Sequence, residues 1–339
     1  MSKTVEPKVE KDVDDIEYNE DAVEKKPTFL ETISAVIWSA LMFIGIGLYI
    51  VLICYKKTRL LMVIYYIWII YDNVVNKTPI YGRRVEFVRN MKLWKLVRDY
   101  FPIRLHKSAN LDSNKQYLFG YHPHGIVCIS SNIAFSSEAL SISKVFPGIN
   151  IRLATIPINF WVPFWRDYVL MIGYCNCDRK AITGIFKETN HSVVIVIGGA
   201  NESLYSYPGT YKIILKRRKG FVRIALKNGI SLVPVLNFGE VDVFDQIQHK
   251  IVTENNTLIK KYLGFRLPTF YGRLKLWIPY SRPINVVTGI PIDCPKIENP
   301  TDEDIQKYLD LYIAELQRIW EENKDKYAKN RKTELELVE

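Results

Sequence analysis

The sequence predicts an α/β protein in which a mainly parallel β-sheet, flanked by helices, is preceded by an N-terminal membrane hairpin. Three observations support this prediction. Ile33–Tyr55 carries no charged residue, strands and helices alternate from Gln116 onward, and a long amphipathic helix follows Thr301. These patterns divide the 339 residues into a disordered polar tail (1–28), a hairpin (29–73), a basic amphipathic segment (74–102), an α/β domain (103–330) and a second tail (331–339).

The hairpin is predicted from two neighbouring apolar runs. Ile33–Tyr55 is long enough to cross the ~30 Å hydrocarbon core as a helix, whereas Leu60–Tyr71 is short for a full span and fits a tilted or re-entrant arm. Two buried helices of a soluble core are the alternative, but uncharged runs of this length are rare there. Lys56, Lys57 and Arg59 lie between the runs and must reach an interface.

A basic segment follows the hairpin. Its seven Lys and Arg residues are Lys77, Arg83, Arg84, Arg89, Lys92, Lys95 and Arg98. Apolar residues recur among them at helical spacing, namely Phe87, Val88, Met91, Trp94 and Val97. The pattern predicts a basic amphipathic helix on the membrane surface, with a soluble surface helix as the alternative. The positive-inside rule places this segment in the cytosol.

The chain is basic, with 46 Lys and Arg against 36 Asp and Glu and a formal net charge of +10. This balance suits lipid headgroups or a phosphorylated cosubstrate. No nucleic-acid partner is expected, because the basic residues alternate with long apolar runs and no known nucleic-acid motif occurs. The five cysteines contain no CxxC pair, so we expect neither a disulfide framework nor a zinc ribbon and place the domain in a reducing compartment.

From residue 116 onward the pattern indicates a parallel sheet. Short apolar runs alternate with helical segments such as Phe221–Lys227, which ends before Asn228-Gly229. The predicted strands are Gln116–Tyr121, Ile151–Thr155, Val193–Ile197, Leu232–Leu236, Leu274–Ile278 and Asn285–Thr288. Thr301 is the predicted N-cap of the last helix.

The strongest chemical signal is Tyr121-His122-Pro123-His124-Gly125, at the C-terminal end of a predicted strand. Ligands bind at that edge of open α/β sheets, and histidine is the usual general base near neutral pH. A metal pair and a purely structural turn are the alternatives, although His106, His191 and His249 have no evident ligand spacing. No GxSxG nucleophile elbow occurs, which argues against an α/β-hydrolase.

Seven sequence blocks follow one another in a characteristic order. They are Tyr100–Pro102, Tyr121–Gly125, Phe146–Gly148, Gly198–Ser203, Arg218–Phe221, Leu232–Val235 and Phe238–Glu240. With these blocks the chain resembles the type 2 diacylglycerol acyltransferase family, which includes monoacylglycerol and wax-alcohol acyltransferases, from about Phe29 to the C-terminus. The resemblance implies acyl-CoA-dependent esterification of a neutral glycerolipid hydroxyl, most simply diacylglycerol to triacylglycerol. It also implies the endoplasmic reticulum membrane and the lipid droplet surface as locations, acyl-CoA as cosubstrate and no cofactor.

The resemblance places the catalytic motif on residues 122–125. It implies that one of the two histidines acts as the base in a direct transfer of the acyl group. The wider glycerolipid acyltransferases carry a His-x4-Asp pair, in which the aspartate orients the base. Alignment with them favours His122 as the base, and His124 stays open. Val127 and Ile129 stand five residues after the two histidines, so the orienting carboxylate must come from elsewhere.

Glu202 is the candidate for that carboxylate. It follows the predicted strand Val193–Ile197 and Gly198-Gly199, which places it at the same sheet edge as the histidines. A solvated loop glutamate is the alternative. Backbone N–H groups near Gly125 or Gly198-Gly199 are expected to stabilise the oxyanion.

Two basic clusters are candidate binding sites for acyl-CoA. Gly173–Arg179 is similar to the glycine–arginine block of the phosphate-dependent relatives, so Arg179 is expected to bind a CoA phosphate or a lipid carbonyl, although Asp178 stands where many members carry Ser. The second cluster precedes the helix that begins at Gly220 and suits a phosphate clamp, with a solvated basic loop as the alternative. Its residues are Lys216, Arg217, Arg218 and Lys219.

Other functions remain as alternatives. A monoacylglycerol or wax-alcohol acyltransferase would use the same motifs. A lysophospholipid acyltransferase is disfavoured by the missing His-x4-Asp pair, and a catalytically inactive lipid-binding protein by the intact histidines and glycines. The preferred acceptor, the acyl chain and a homo-oligomeric state are left open by the sequence.

The expected topology is testable through two sequons, at Asn190 and Asn255. A domain that faces the cytosol cannot receive N-glycans, so glycosidase treatment of the expressed protein should cause no gel shift. A shift that is abolished by Asn190→Gln or Asn255→Gln would place the domain in the lumen.

Overall fold

The computed structural model describes residues 21–247 and 268–338 and centres on a seven-stranded sheet. The strands are β1 (Ile103–Lys107), β2 (Tyr117–His122), β3 (Asn150–Thr155), β4 (Tyr174–Asn176), β5 (His191–Val196), β6 (Tyr211–Ile214), β7 (Ser231–Phe238), β8 (Asp245–Gln246), β9 (Phe270–Tyr271), β10 (Ile284–Thr288) and β11 (Leu335–Val338). The α-helices are α1 (Phe29–Cys54), α2 (Arg59–Val74), α3 (Thr78–Tyr81), α4 (Glu86–Arg89), α5 (Lys92–Tyr100), α6 (Ile129–Ser131), α7 (Ile142–Val145), α8 (Trp165–Met171), α9 (Arg179–Glu188), α10 (Gly220–Asn228) and α11 (Asp302–Tyr327).

The main sheet has the strand order β1-β10-β7-β2-β5-β3-β4. The strands from β7 to β4 are parallel to one another, and β10 pairs antiparallel with β7 and parallel with β1. β2 and β7 are buried along their whole length, as expected for parallel strands that helices cover on both faces. The predicted α/β fold with a mainly parallel sheet is confirmed.

The two faces of the sheet bury two separate hydrophobic clusters. Tyr117, Phe119 and Tyr121 of β2 point into one cluster, which includes residues of α1, α5 and α8. Leu118 points into the other, which includes residues of α9, α10 and α11. Because side chains alternate along a strand, His122 has the same parity as Leu118 and belongs to the α11 side.

The last helix, α11, begins as predicted. Thr301 accepts a hydrogen bond from the Asp304 N–H at 3.1 Å, and Asp304 accepts one from the Thr301 N–H at 2.9 Å, which makes a capping box. One face of the helix is buried, through Ile305, Leu309, Tyr312, Leu316, Ile319 and Trp320. Within the C-terminal tail expected at 331–339, Leu335–Val338 forms β11, which pairs parallel with β6.

The segment 74–102 is not the single amphipathic helix that its periodicity predicts. It forms three short helices, α3, α4 and α5, interrupted at Gly82, whose φ is +71°. Arg89 is buried; its Nε donates to the Ser136 carbonyl at 2.7 Å, and it pairs with Glu138 at 2.9 Å. Arg89 therefore stabilises the domain and does not face lipid.

A second correction concerns Leu274–Ile278, which was expected to form a strand. The chain makes a turn here, closed by a bridge between Arg273 and Ile278, and Leu274 and Lys275 have φ values of +57° and +59°. The alternating pattern of the sequence misled the prediction because its apolar side chains are exposed at the turn and do not pack on a sheet face. Residues 1–20, His249 and the Asn255 sequon lie outside the described residues.

The two predicted apolar arms form α1 and α2, which pack against each other. The ring of Tyr49 lies 6.5 Å from that of Tyr65 and 6.1 Å from that of Tyr66. Among the described residues, α1 alone is long and apolar enough to cross a membrane, whereas α2 has 16 residues.

A buried ion pair fastens α2 to the domain. Asp72 in the last turn of α2 is 2.5 Å from Arg166 of α8, and both side chains are almost fully buried. The Arg166 guanidinium also donates to the Phe160 carbonyl at 3.1 Å and lies over the Trp68 ring at 5.0 Å. Arg83 also pairs with Asp72 at 2.9 Å, and Arg166 also pairs with Asp167 at 3.2 Å, so removing the Asp72 charge leaves two cations beside one remaining carboxylate.

We therefore expect Asp72→Asn to lower the free energy of unfolding by about 3 kcal/mol. The exposed pair Lys115–Asp293 is the matched control, and Lys115→Ala should leave stability unchanged because water screens that pair. Denaturant titration of both variants in the same detergent measures the difference. Equal midpoints for the two variants would show that the buried pair is not needed.

Candidate active site

Both histidines lie at the C-terminal end of β2, between the parallel neighbours β5 and β7. His122 is the last residue of the strand. The loop that follows begins with Pro123, after a cis bond between His122 and Pro123, and continues with His124. The side chain of Asn237 on β7 donates to the carbonyls of His122 and Pro123, each at 2.8 Å. The histidine pair therefore occupies the sheet edge where the sequence predicted it.

His122 is fully buried and is held by Tyr312 of α11. The Tyr312 hydroxyl donates to the Gly120 carbonyl at 2.9 Å, so its oxygen accepts from His122 Nε2 at 3.0 Å. This fixes the proton of the neutral ring on Nε2, and the buried Nδ1 has no hydrogen-bond partner among the described residues. Burial lowers the pKa of His122 to about 3, which keeps the ring uncharged.

His124 is only partly buried and has the opposite tautomer. Its Nδ1 is 3.1 Å from the Gly125 carbonyl, which can only accept, so Nδ1 carries the proton and Nε2 carries the lone pair. Burial lowers the pKa of His124, and the bond to Gly125 partly opposes this. The ring is therefore neutral at physiological pH and able to accept a proton.

Glu202 is buried next to His124, but not in the expected role. One carboxylate oxygen accepts from the main-chain N–H of His124 at 2.7 Å, and the other accepts from the Ile214 N–H at 2.7 Å. The expected carboxylate–imidazole bond is replaced by a bond to the backbone of His124. The carboxylate of Glu202 packs against Gly198. Burial raises the pKa of Glu202 to about 7, although both hydrogen bonds and the charge of Arg218 oppose the shift.

Glu240 is a second buried carboxylate of the site, and sequence reasoning missed its role. It accepts from the N–H groups of Ile129 and Ser130 at 2.7 and 2.9 Å and from the Ser130 hydroxyl. The same hydroxyl is 2.5 Å from the hydroxyl of Tyr121. The signal was available, since Glu240 follows β7, which runs beside β2.

Arg218 is the member of the second basic cluster that reaches the site. Its guanidinium donates to the Gly198 carbonyl at 3.2 Å, close to Glu202. Lys219 is half-buried at the start of α10, whereas Lys216 and Arg217 are exposed. Gly199 has a φ of +64° and open space around its α-carbon, so a ligand can approach its backbone.

Arg179 is not brought to the histidines. It is the first residue of α9 and is exposed at the same sheet edge, after β4. β4 is three strands away from β2, a distance of roughly 14 Å at ordinary strand spacing. Arg179 can therefore meet only a distant part of an extended ligand.

Among the described residues, the histidine pair has no cluster of further metal-binding side chains around it. Within residues 21–247 and 268–338, no three His, Cys, Asp or Glu side chains lie together in a way that could hold an ion. The two ring nitrogens that carry protons are already bonded to Tyr312 and Gly125. The arrangement of the described residues suits proton transfer at His124.

The chain matches known proteins over most of its length. The family model described as diacylglycerol acyltransferase matches residues 51–338. A diacylglycerol O-acyltransferase 1 of Schizosaccharomyces pombe is 42% identical over 81% of this chain and 82% of its own length. The diacylglycerol O-acyltransferase 2 of Homo sapiens is 38% identical over 91% of this chain and 82% of its own. That of Danio rerio is 43% identical over 79% and 77%.

Among solved structures, the 1-acyl-sn-glycerophosphate acyltransferase PlsC of Thermotoga maritima aligns with 87% of this chain and 96% of its own. The identity is 12% and the TM-score 0.43, so this likeness carries no further argument. The family model, by contrast, matches nearly the whole described α/β domain, and each of these curated relatives matches at least 79% of the chain. The chain belongs to the diacylglycerol acyltransferase family.

Proposed function

We propose that this protein is an acyl-CoA:diacylglycerol O-acyltransferase that forms triacylglycerol. Its family membership and the names of its relatives support this function. The structural observation that supports it best is His124, whose unprotonated Nε2 lies on a partly exposed loop at the ligand-binding edge of the sheet. A neutral imidazole in that position is the base that acyl transfer to an alcohol requires.

The reaction is a direct transfer. His124 Nε2 takes the proton from the acceptor hydroxyl as the oxygen attacks the thioester carbonyl. The tetrahedral intermediate then expels CoA thiolate, which takes the proton back from the imidazolium. The lowered pKa of His124 favours this return.

The Gly199 N–H already donates to the Val196 carbonyl at 3.1 Å, so the N–H groups of Gly125 and Gly198 are the better oxyanion donors.

In this mechanism His122 is a positioning residue. Alignment favoured it as the base, but its Nε2 is tied to Tyr312 and its Nδ1 is buried. Its ring connects β2 to α11 and thereby holds the start of the loop that carries His124. Glu202 acts on the same loop through the main chain of His124.

We assign the binding of CoA to the basic residues beside the site. Arg218 and Lys219 stand near Gly198-Gly199, Arg217 extends this cluster to the surface, and Arg179 is placed for a remote phosphate. Neutral diacylglycerol comes from the membrane. The protein is anchored by α1 and α2 in the endoplasmic reticulum membrane and on lipid droplets, with the α/β domain in the cytosol.

The function is tested with purified membranes, labelled oleoyl-CoA and a panel of acceptors: diacylglycerol, monoacylglycerol, a long-chain alcohol and lysophosphatidic acid. Labelled triacylglycerol should be the main product. His124→Ala should lower its formation by ~10²-fold or more, since the general base is lost. His191→Ala, at the opposite end of β5, is the matched control and should keep activity.

A main product from another acceptor would reassign the substrate. Near-normal activity of His124→Ala would contradict its role as base. Membrane association of both variants should equal that of the wild type, because neither residue lies in an apolar helix.

Glu202 gives a pH-dependent prediction. With a pKa of about 7, Glu202 is ionised above neutral pH and can then accept from both N–H groups; protonation at lower pH weakens one of these bonds. We expect kcat to fall as the pH decreases through about 7, before His124 itself is protonated. Glu202→Gln should lower kcat more than it raises KM, and it should remove that acidic limb. An unchanged limb in the variant would assign the titration to another group.

A further inference from the structure

One face of α1 is covered by the α/β domain over most of its length. Ala35 is fully buried, and Trp38 and Leu41 pack against the same core cluster. A β-carbon at Gly45 would lie 3.3 Å from the Pro163 carbonyl oxygen, and the Tyr49 ring lies 6.4 Å from that of Phe164. The helix is therefore laid along the domain and does not extend freely from it.

This packing is incompatible with a bare transmembrane span. The contacts from Ala35 to Tyr49 cover about 21 Å of helix at 1.5 Å per residue, most of a ~30 Å hydrocarbon core. The helix α5, which packs against α1, exposes Lys92 and Lys95. Pulling α1 through a bilayer would draw these charges and the polar surface beside them into hydrocarbon, which is strongly unfavourable.

The other face of α1 is apolar, and it adjoins an exposed apolar turn of the α/β domain. The turn 272–277 exposes Leu274, Leu276 and Trp277 by 84%, 55% and 63%. Trp277 stacks on Phe43 of α1 with ring centroids 5.5 Å apart. The turn therefore reaches the same depth as the middle of α1, although more than 200 residues of sequence separate them.

We propose that the outer faces of α1 and α2 and the turn 272–277 form one lipid-facing surface that enters a single phospholipid leaflet. The inference deepens the proposed function, because it rests on the protein being a membrane enzyme. The aromatic and basic residues of the turn, Trp277 and Lys275, are typical of the lipid–water boundary. The predicted full span of α1 is replaced by insertion from one side.

Single-leaflet insertion also accounts for the charged loop between the two helices. Lys56, Lys57 and Arg59 would have to cross the bilayer if α1 spanned it, whereas a hairpin that lies along one leaflet keeps them at the headgroups. Arg59 donates to the carbonyls of Ile53 and Cys54 at 3.1 and 3.2 Å, so it caps the end of α1.

The test measures the depth of single labels in the full chain. A Cys54→Ser background removes the exposed cysteine seen in the described residues. Leu274→Cys carries an environment-sensitive fluorophore at the turn. Glu303→Cys carries it at the start of α11, on the opposite side of the sheet, as the matched control. Both proteins are bound to phosphatidylcholine vesicles that contain a doxyl-labelled phospholipid, and to triolein droplets coated with the same monolayer.

We expect the doxyl lipid to quench the label at 274 at least twofold more than the label at 303, on vesicles and on droplets alike. Equal quenching at the two positions would overturn the role of the turn. Quenching on vesicles without binding to the droplets would overturn single-leaflet insertion. Since neither readout depends on acyl transfer, a failure here is distinguishable from a failure of the proposed reaction, which is assayed on the same preparations.

Discussion

Two buried carboxylates hold the loop between β2 and α6, and the geometry of the site depends on them. Glu202 accepts from the N–H of His124, and Glu240 accepts from the N–H groups of Ile129 and Ser130, five and six residues further on. A carboxylate costs much free energy to bury unless it is hydrogen-bonded, and burial raises the pKa of both. Each carboxylate is tolerated because its oxygens accept backbone N–H groups, and these same bonds fix the loop.

Glycines make room for this network. A β-carbon at Gly198 would lie 2.2 Å from Cδ of Glu202, one at Gly125 2.4 Å from Cγ of Glu240, and one at Gly120 2.0 Å from the Tyr312 hydroxyl. Gly125 and Gly198 belong to sequence blocks that the resemblance singled out. Their physical role is to let a large acidic side chain contact the backbone, which a sequence motif by itself does not reveal.

Local sequence signals predicted much of this fold. Periodicity and residue chemistry over short windows were enough to predict the capping box at Thr301 and the histidines at a strand end. They also predicted the buried strands β2, β3, β5, β7 and β10. The roles of Tyr312 and Glu240 were missed because their partners lie more than 100 residues away in sequence, although the place of Glu240 after β7 was a usable signal. The segment 74–102 was misread for a related reason. Arg89 is a surface residue by composition, but its burial is stabilised by Ser136 and Glu138, which are distant in sequence, together with nearby Glu86.

The two faces of the sheet suit the two proposed substrates. The proposed lipid-facing surface, Glu240 and α6 belong to the side on which α1 packs, and Val127 in the loop before α6 is 41% exposed. Arg218, Gly199 and the start of α10 belong to the side of α11, which presents cations to water. In the proposed reaction, an apolar acceptor from the membrane and a phosphorylated CoA from the cytosol would approach one strand end from opposite faces. His124 is the first residue beyond that strand with a free lone pair, so it stands where the two paths meet.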